Sequence, residues 1–432
     1  MPRDRHECHG CREFQEWSRR RFLGVSGSAF GALLAGPAWL PRIVLAQNER
    51  SDRDVLVVVF LRGGMDGLTS VVPYGDSNLY SPTLRPTLAI QPPGSPNGAV
   101  DLDGFFGLAP AMAPLLPAFQ SGQLAMVHAS GSPDPTRSHF DAFSYMEFGI
   151  PLQPLATFTG WLARHLQVMP PLGDGLLRAI AVTDLIPKML AGAPATLPIP
   201  NPAEFDFPGR LASAAQRREV LDEAYTTASP PLPGAVQSTL ATIDLLATID
   251  FDNYQPAPGA AYPETQLGNA MRSIAALIKA EVGVEAATTE LSGWDTHNQQ
   301  GPLSGDMAVL MDDLSRSLAA FHVDMQNQMN GLVVMAMSEF GRRADENGSD
   351  GTDHGHGNCM FVMGGYINGG QVLANWIDGA LLHPDLLYEG DSLQVTIDYR
   401  DIVAEIVQNR LGNANLAAVF PNFIPTFRGI TS

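Results

Sequence analysis

Seven apolar residues in a row, Val55 to Leu61, run straight into Arg62-Gly63-Gly64-Met65-Asp66-Gly67. A strand with one face in water alternates apolar and polar residues. An unbroken apolar run needs cover on both faces, as in a parallel sheet with helices above and below. Further strands are expected at Gln123–Ala129, around Val284–Leu291, at Leu332–Met337 and at Met360–Met363. Helices are expected between them: residues 107–120, a helix beginning near Ser138 and carrying Phe143, Met146 and Phe148, residues 266–281, and Asp398 to Leu411. Met307, Leu310, Met311, Leu314, Leu318 and Phe321 recur at spacings of three and four, the period of an amphipathic helix. Strands alternating with helices imply an α/β fold with a mostly parallel central sheet. Residues 165–265 differ, with a Pro-rich stretch from Pro194 to Pro202, and read as an insertion or cap with helices near 211–226 and 235–248.

The first 46 residues have a different character. Ser18-Arg19-Arg20-Arg21-Phe22-Leu23 leads into a Gly- and Ala-rich apolar run that ends near Leu34, and Val44-Leu45-Ala46 offers the small residues a signal peptidase accepts. This is the order of a twin-arginine signal, an address read by the twin-arginine translocase rather than an anchor. The run is too short and too Gly-rich for a stable membrane span. Cleavage after Ala46 leaves 386 of the 432 residues as one large domain, 47–432, in the periplasm or secreted. Cys8 and Cys11 leave with the signal, so Cys359 has no internal disulfide partner. The formal charge of −19 argues against nucleic acid or an anionic membrane as partner.

The polar clusters fall at expected strand ends, where ligands bind in open parallel sheets. Asp353-His354-Gly355-His356 joins carboxylate and imidazole, a donor set for zinc, manganese or iron. Asp295-Thr296-His297 adds a carboxylate and an imidazole two residues apart, or else caps a helix start. Asp66 is a metal carboxylate or a turn aspartate. Ser138, at a helix N-terminus, is a nucleophile or an N-cap; His139 and Asp141 beside it have no clear role. Arg137, Arg62 and Arg342 suit an anionic oxygen, although arginines in such loops more often make structural ion pairs. His128 reads as a core or rim histidine and His322 as unrelated.

Taken together, Phe60-Leu61-Arg62-Gly63-Gly64-Met65-Asp66-Gly67, Ser132-Pro133-Asp134-Pro135-Thr136-Arg137-Ser138-His139-Phe140, Gly293-Trp294-Asp295-Thr296-His297, Ser338-Glu339-Phe340-Gly341-Arg342 and Thr352-Asp353-His354-Gly355-His356-Gly357 resemble the DUF1501 family. The resemblance covers nearly the whole chain and is weakest over 165–265. It implies an alkaline phosphatase-like three-layer sandwich with a cap, and the chemistry of phosphatases and sulfatases. The implied reaction is metal-dependent hydrolysis of a small anionic ester, phosphate or sulfate, by a serine nucleophile. A non-catalytic metal-containing binding protein on the same fold is the alternative. By this resemblance Ser138 is the nucleophile, Arg137 and Arg342 hold oxygens, and Asp66, Asp295, His297, Glu339, Asp353 and His354 or His356 are metal candidates. The ion is divalent: zinc first, with manganese, calcium and magnesium as alternatives. The chain departs from the usual pattern of the wider alkaline phosphatase-like superfamily after Leu332–Met337, where Ser338-Glu339-Phe340-Gly341 stands in place of Ser-Asp-His-Gly, unless that Asp-His pair is Asp353-His354, a loop later. That departure leaves one metal site largely intact, near Asp295, His297 and His354 or His356, and removes an imidazole from a second near Asp66, Ser138 and Glu339.

Overall fold

The strand that opens the chain's core, β1 (Val55–Arg62), lies inside a nine-stranded sheet and is covered on both faces. Val57, Val59 and Leu61 point into one apolar core, and Leu56, Val58 and Phe60 into another. That two-sided burial is the reason the sequence shows a run rather than an alternation. The computed structural model describes residues 53–432, apart from 153–157, 173–175, 206, 208, 210, 227 and 231. The expected signal and cleavage site lie outside the described residues. Among the described residues no helix is long and apolar enough to cross a membrane.

The remaining strands are β2 (Leu124–Gly131), β3 (Ala179–Ala181), β4 (Thr196–Pro198), β5 (Ala286–Ser292), β6 (Leu332–Ser338), β7 (Asn358–Gly364), β8 (Gln371–Leu373) and β9 (Ile397–Asp398). They are ordered β8-β2-β7-β6-β1-β5-β3-β4, with β9 also on β2. Every pairing is parallel except the two made by β7. β1, β2, β5 and β6 therefore end on one rim, and β7 begins there.

One face is covered by α5 (Gln266–Lys279) and α6 (Asp306–Asp324), through Leu267, Met271 and Ile274 and through Met307, Met311, Leu314 and Phe321. The other face is covered by α2 (Trp161–Val168) and α7 (Tyr399–Asn409), through Trp161, Leu162, Ile402 and Ile406. The result is a three-layer α/β architecture with a mostly parallel sheet.

Two expectations are corrected. Residues 107–120 do not form one helix. Gly107–Leu108 pairs in a small three-stranded sheet, Pro110–Leu115 is a 3-10 helix, and only Leu116–Gln120 is α-helical. Pro114 and Pro117 lack the N–H that a continuous helix needs. The 165–265 segment is also not wholly a cap, since β3 and β4 extend the main sheet beside β5. Each has only three residues, too short for an apolar run to reveal it in the sequence. Helices α3 (Ala214–Thr226) and α4 (Leu232–Ala247) lie close to where they were expected.

His128, on β2, is fully buried and has no part in the rim chemistry. Its Nε2 lies 2.9 Å from the Val71 carbonyl oxygen, and its Nδ1 accepts from the Ala129 N–H at 2.8 Å. Both nitrogens are thus committed in the neutral ring, and burial pushes its pKa down to about 4. The unfolded chain takes a proton on this residue near pH 6.5. Between pH 6.5 and 4 the unfolded state binds more protons, so stability is lost as pH falls through that window. The loss from His128 should be on the order of 3 kcal/mol by pH 4. Denaturant titrations at pH 7, 5.5 and 4 check this. His128→Gln keeps a donor and an acceptor without a titrating ring and should flatten the dependence; an unchanged slope would rule His128 out as its source.

A candidate metal centre at the strand-end rim

Four loops meet where the parallel strands end. After β1 the chain turns through Gly63, whose φ is +120°; a Cβ there would stand 2.6 Å from the Asp295 backbone nitrogen. Only glycine lets the β1 turn press against the loop that follows β5. After β6 the chain leaves through Glu339 and doubles back along itself before entering β7. Arg342 bridges His354, the Gly355 N–H donates to the Gly341 carbonyl at 2.8 Å, and the Gly341 N–H donates to the His356 carbonyl at 2.9 Å. A Cβ on Gly341 would lie 1.9 Å from the Gly357 oxygen. Helix α1 (His139–Phe148) starts on the same rim after β2.

These loops bring His139, Asp295, His297 and His354 together. Potential ligand atoms of His139, Asp295 and His354 lie within 4.8 Å of one another. Asp295 Oδ1 is 3.0 Å from His297 Nε2, 3.0 Å from His354 Nε2 and 3.5 Å from His139 Nε2. The two Nε2 atoms of His297 and His354 are 3.0 Å apart. In tetrahedral zinc coordination, with bonds of about 2.0–2.1 Å, neighbouring ligand atoms lie about 3.3 Å apart. The spacings from Asp295 to the three rings, and that between His297 and His354, bracket that value.

The proton inventory points the same way. Each of the three rings has Nδ1 against an acceptor: Glu339 Oε1 at 2.7 Å for His139, Asp353 Oδ1 at 2.9 Å for His297, and the Arg137 carbonyl at 2.8 Å for His354. A neutral ring that donates through Nδ1 presents a lone pair at Nε2. The three Nε2 atoms all lie against Asp295 Oδ1, an arrangement that a cation or additional protons would satisfy. His139 Nε2 is buried with no hydrogen-bond partner. Burial opposes charge on His139, yet the carboxylates of Asp295 and Glu339 outweigh it and raise its pKa to about 9. Burial likewise opposes charge on Asp295, but the three imidazoles and Arg342 hold its pKa far below the usual carboxylate range. Burial lowers the pKa of His354 and keeps its lone pair available near neutral pH. The donor set, three imidazoles held from behind and one carboxylate, fits a divalent zinc, manganese or iron ion.

The other residues singled out in the sequence take different places. Glu339 is buried and backs the cluster: besides His139 it accepts the Gly63 N–H at 2.8 Å and the Ser338 hydroxyl at 2.9 Å. Asp353 orients His297 and is itself held by Asn347 at 3.1 Å. Of the two alternatives His354 and His356, only His354 reaches the cluster. His356 stacks on Tyr388 with ring centroids 4.2 Å apart. Asp66 accepts from Arg85 at 2.7 Å, Thr69 at 2.7 Å and Gln300 at 2.7 Å, so its charge is already balanced by a guanidinium. Arg342 is buried, and its donors go to Asp295 and to the carbonyls of Gly63, Gly64, Trp294 and Thr352. Arg137 pairs with Asp391 and Glu389. Ser138 precedes ligand candidate His139, and its hydroxyl makes no capping bond to α1. Phe340 packs its ring 4.9 Å from His139 and 5.0 Å from His354.

His139 had no clear role in the sequence. The signal was present: it follows the β2 strand end as Asp295 follows β5 and Glu339 follows β6. Glu339→Gln tests the support behind it. The amide can still accept from Gly63 but carries no charge to make His139 more basic. The expected result is a ten- to hundredfold loss of zinc affinity in a folded protein, read by chelator competition. Unchanged affinity would show that Glu339 does not tune the site.

The family model described as "Protein of unknown function (DUF1501)" matches residues 53–410. No curated protein matches the chain. Among solved structures, the PsFucS1 sulfatase from Pseudoalteromonas sp. is 11% identical, with 96% of this chain and 77% of that chain covered at a TM-score of 0.36. The alkaline phosphatase of the Antarctic bacterium TAB5 is 10% identical, with 72% and 92% covered and a TM-score of 0.28. The C-terminal periplasmic domain of EcEptC from Escherichia coli, in complex with zinc, is 11% identical, with 91% and 94% covered and a TM-score of 0.32. These are distant likenesses.

Proposed function

The chain belongs to the DUF1501 family, and we propose that this member is a metal-dependent ester hydrolase built on one ion, with Ser138 as nucleophile. The convergence of three Nε2 atoms on Asp295 Oδ1 carries this reading. His139, Asp295, His297 and His354 would hold the ion. When bound it would polarise an ester oxygen and ease deprotonation of a nearby hydroxyl. The chain supplies the rest. Glu339, Asp353 and the Arg137 carbonyl fix the three rings. Arg342 fixes Asp295. The N-terminal turn of α1 aims backbone dipoles at an oxygen that gains charge. Ser138 sits at that turn, half-buried, with no capping bond to compete with attack.

The test is turnover of aryl esters by the metal-loaded protein; the phosphate and sulfate esters expected from the family resemblance form two arms of the panel. Ser138→Ala should keep its metal and lose at least a thousandfold in kcat. Full turnover by that variant would remove Ser138 from the mechanism.

A second reading has its own support. Four protein ligands fill a tetrahedron, and closed four-ligand sites are usually structural. On that reading the protein is a binding or scaffold protein stabilised by its ion. It would melt at lower temperature without metal and turn over no member of the panel. Export by the twin-arginine route, and with it a periplasmic or secreted location, is part of the proposal. Export of a reporter fused to residues 1–46 that stops when Arg19 and Arg20 become Lys would support it.

A further inference from the structure

The charges around the centre restrict what can dock there. Five guanidinium groups surround the rim, and each already faces carboxylate. Arg342 holds Asp295, Arg85 holds Asp66, and Arg62 lies between Glu147 and Glu290. Arg137 lies between Asp391 and Glu389, and Arg343 is 3.2 Å from Asp391. Lys188 is bonded to the Ser144 hydroxyl on α1, in the field of Glu147 and Asp141. The surplus is negative: Glu339 and Asp353 add charge behind the ligands, and the whole chain stands at −19.

A phosphate or sulfate monoester arrives already charged and displays several oxygens that call for charged donors. Here one divalent ion would have to offset both that charge and the carboxylates around it. What the rim does offer is dipolar: the first turn of α1 and the Ser138 hydroxyl. Fixed dipoles favour charge that develops during reaction without requiring a charged ground state.

We infer that the substrate is an uncharged carboxylic ester, whose carbonyl oxygen becomes negative only in the transition state. The inference rests on the hydrolase reading above. The reaction balances with water alone: the acyl C–O bond breaks, the hydroxyl of water ends on the acyl carbon and its proton on the departing alkoxide. The products are an acid and an alcohol, with no redox partner.

The experiment uses the metal-loaded chain and three esters of one leaving group, 4-nitrophenyl acetate, phosphate and sulfate, with Ser138→Ala as background. Calorimetric titration with inorganic phosphate gives a second readout that needs no turnover. The expected result is cleavage of the acetate with kcat/KM at least a hundredfold above the other two, and no phosphate binding below millimolar concentration. Glu389→Gln/Asp391→Asn, and the milder Glu389→Gln alone, release Arg137 and should tighten phosphate binding about tenfold or more. Faster cleavage of phosphate or sulfate, or micromolar phosphate binding by the parent, overturns the inference and leaves the hydrolase reading standing. No cleavage of any ester by fully loaded protein overturns the hydrolase reading and the substrate with it. The phosphate titration would then still report on the charge argument.

Discussion

Asp295→Asn should abolish tight metal binding while leaving the fold in place. The parent, purified without added metal, is expected to carry close to one divalent ion per chain, and the variant close to none. Asn keeps an oxygen for Arg342, which donates to Asp295 Oδ1 at 2.7 Å, but it removes the one carboxylate on which the three Nε2 atoms converge. The affinity loss should exceed a hundredfold, the upper end for groups that merely orient a ligand. Stability gives a parallel reading. An ion present at a thousand times its Kd stabilises the native state by about 4 kcal/mol. Chelator should therefore lower the melting temperature of the parent and leave that of Asp295→Asn unchanged. Equal metal content in the two proteins would end the metal-centre reading. Two ions in the parent would point to a second site that the Asp66–Arg85 pair does not suggest.

The second large effect concerns Arg342, which sequence reasoning placed among the substrate-holding residues. Its side chain is 0% exposed, and it bonds four carbonyls from three separate segments as well as Asp295. Arg342→Ala would leave these acceptors unpaired in the interior. A buried acceptor without its donor costs about 1–3 kcal/mol, and four carbonyls would lose theirs. The total approaches the whole stability of an ordinary domain. The expected outcome is loss of soluble folded protein, not a folded enzyme with impaired kinetics. Arg342→Lys keeps the charge but concentrates three donors on one atom, so it should fold with reduced stability and weaker metal affinity. A stable, metal-replete Arg342→Ala protein that had lost turnover alone would restore the catalytic assignment.

The sheet was legible because burial on both faces writes itself into sequence as an unbroken run, clearest in Val55–Leu61 and Leu332–Met337. The rim was legible for the same reason, since strand ends locate loops. Three-residue strands such as Ala179–Ala181 leave too little pattern to detect, and prolines between residues 110 and 117 broke a segment whose apolar content suggested a helix. Within the site, residue type alone did not separate ligands from the groups that hold them. Glu339 stands at a strand end, but its carboxylate faces the Nδ1 of His139, one residue beyond the serine that drew attention. His354 and His356 were equivalent on paper; the hairpin from Gly341 to Gly357 turns one toward Asp295 and the other onto Tyr388. Arginine roles were hardest to read, because ion pairs such as Arg137–Asp391 join residues far apart in the chain.

The reversed strand β7 has a consequence for when the centre can exist. Because β7 starts on the rim where β6 ends, His354 reaches the cluster through a hairpin that forms only once both strands have been made, whereas His139 belongs to the first half of the chain. No early fragment emerging from the ribosome contains the full ligand set. An ion held by this set would be acquired at the close of folding, and its identity would be set by the metal pool of the compartment where the last strands assemble, even if the finished protein works elsewhere.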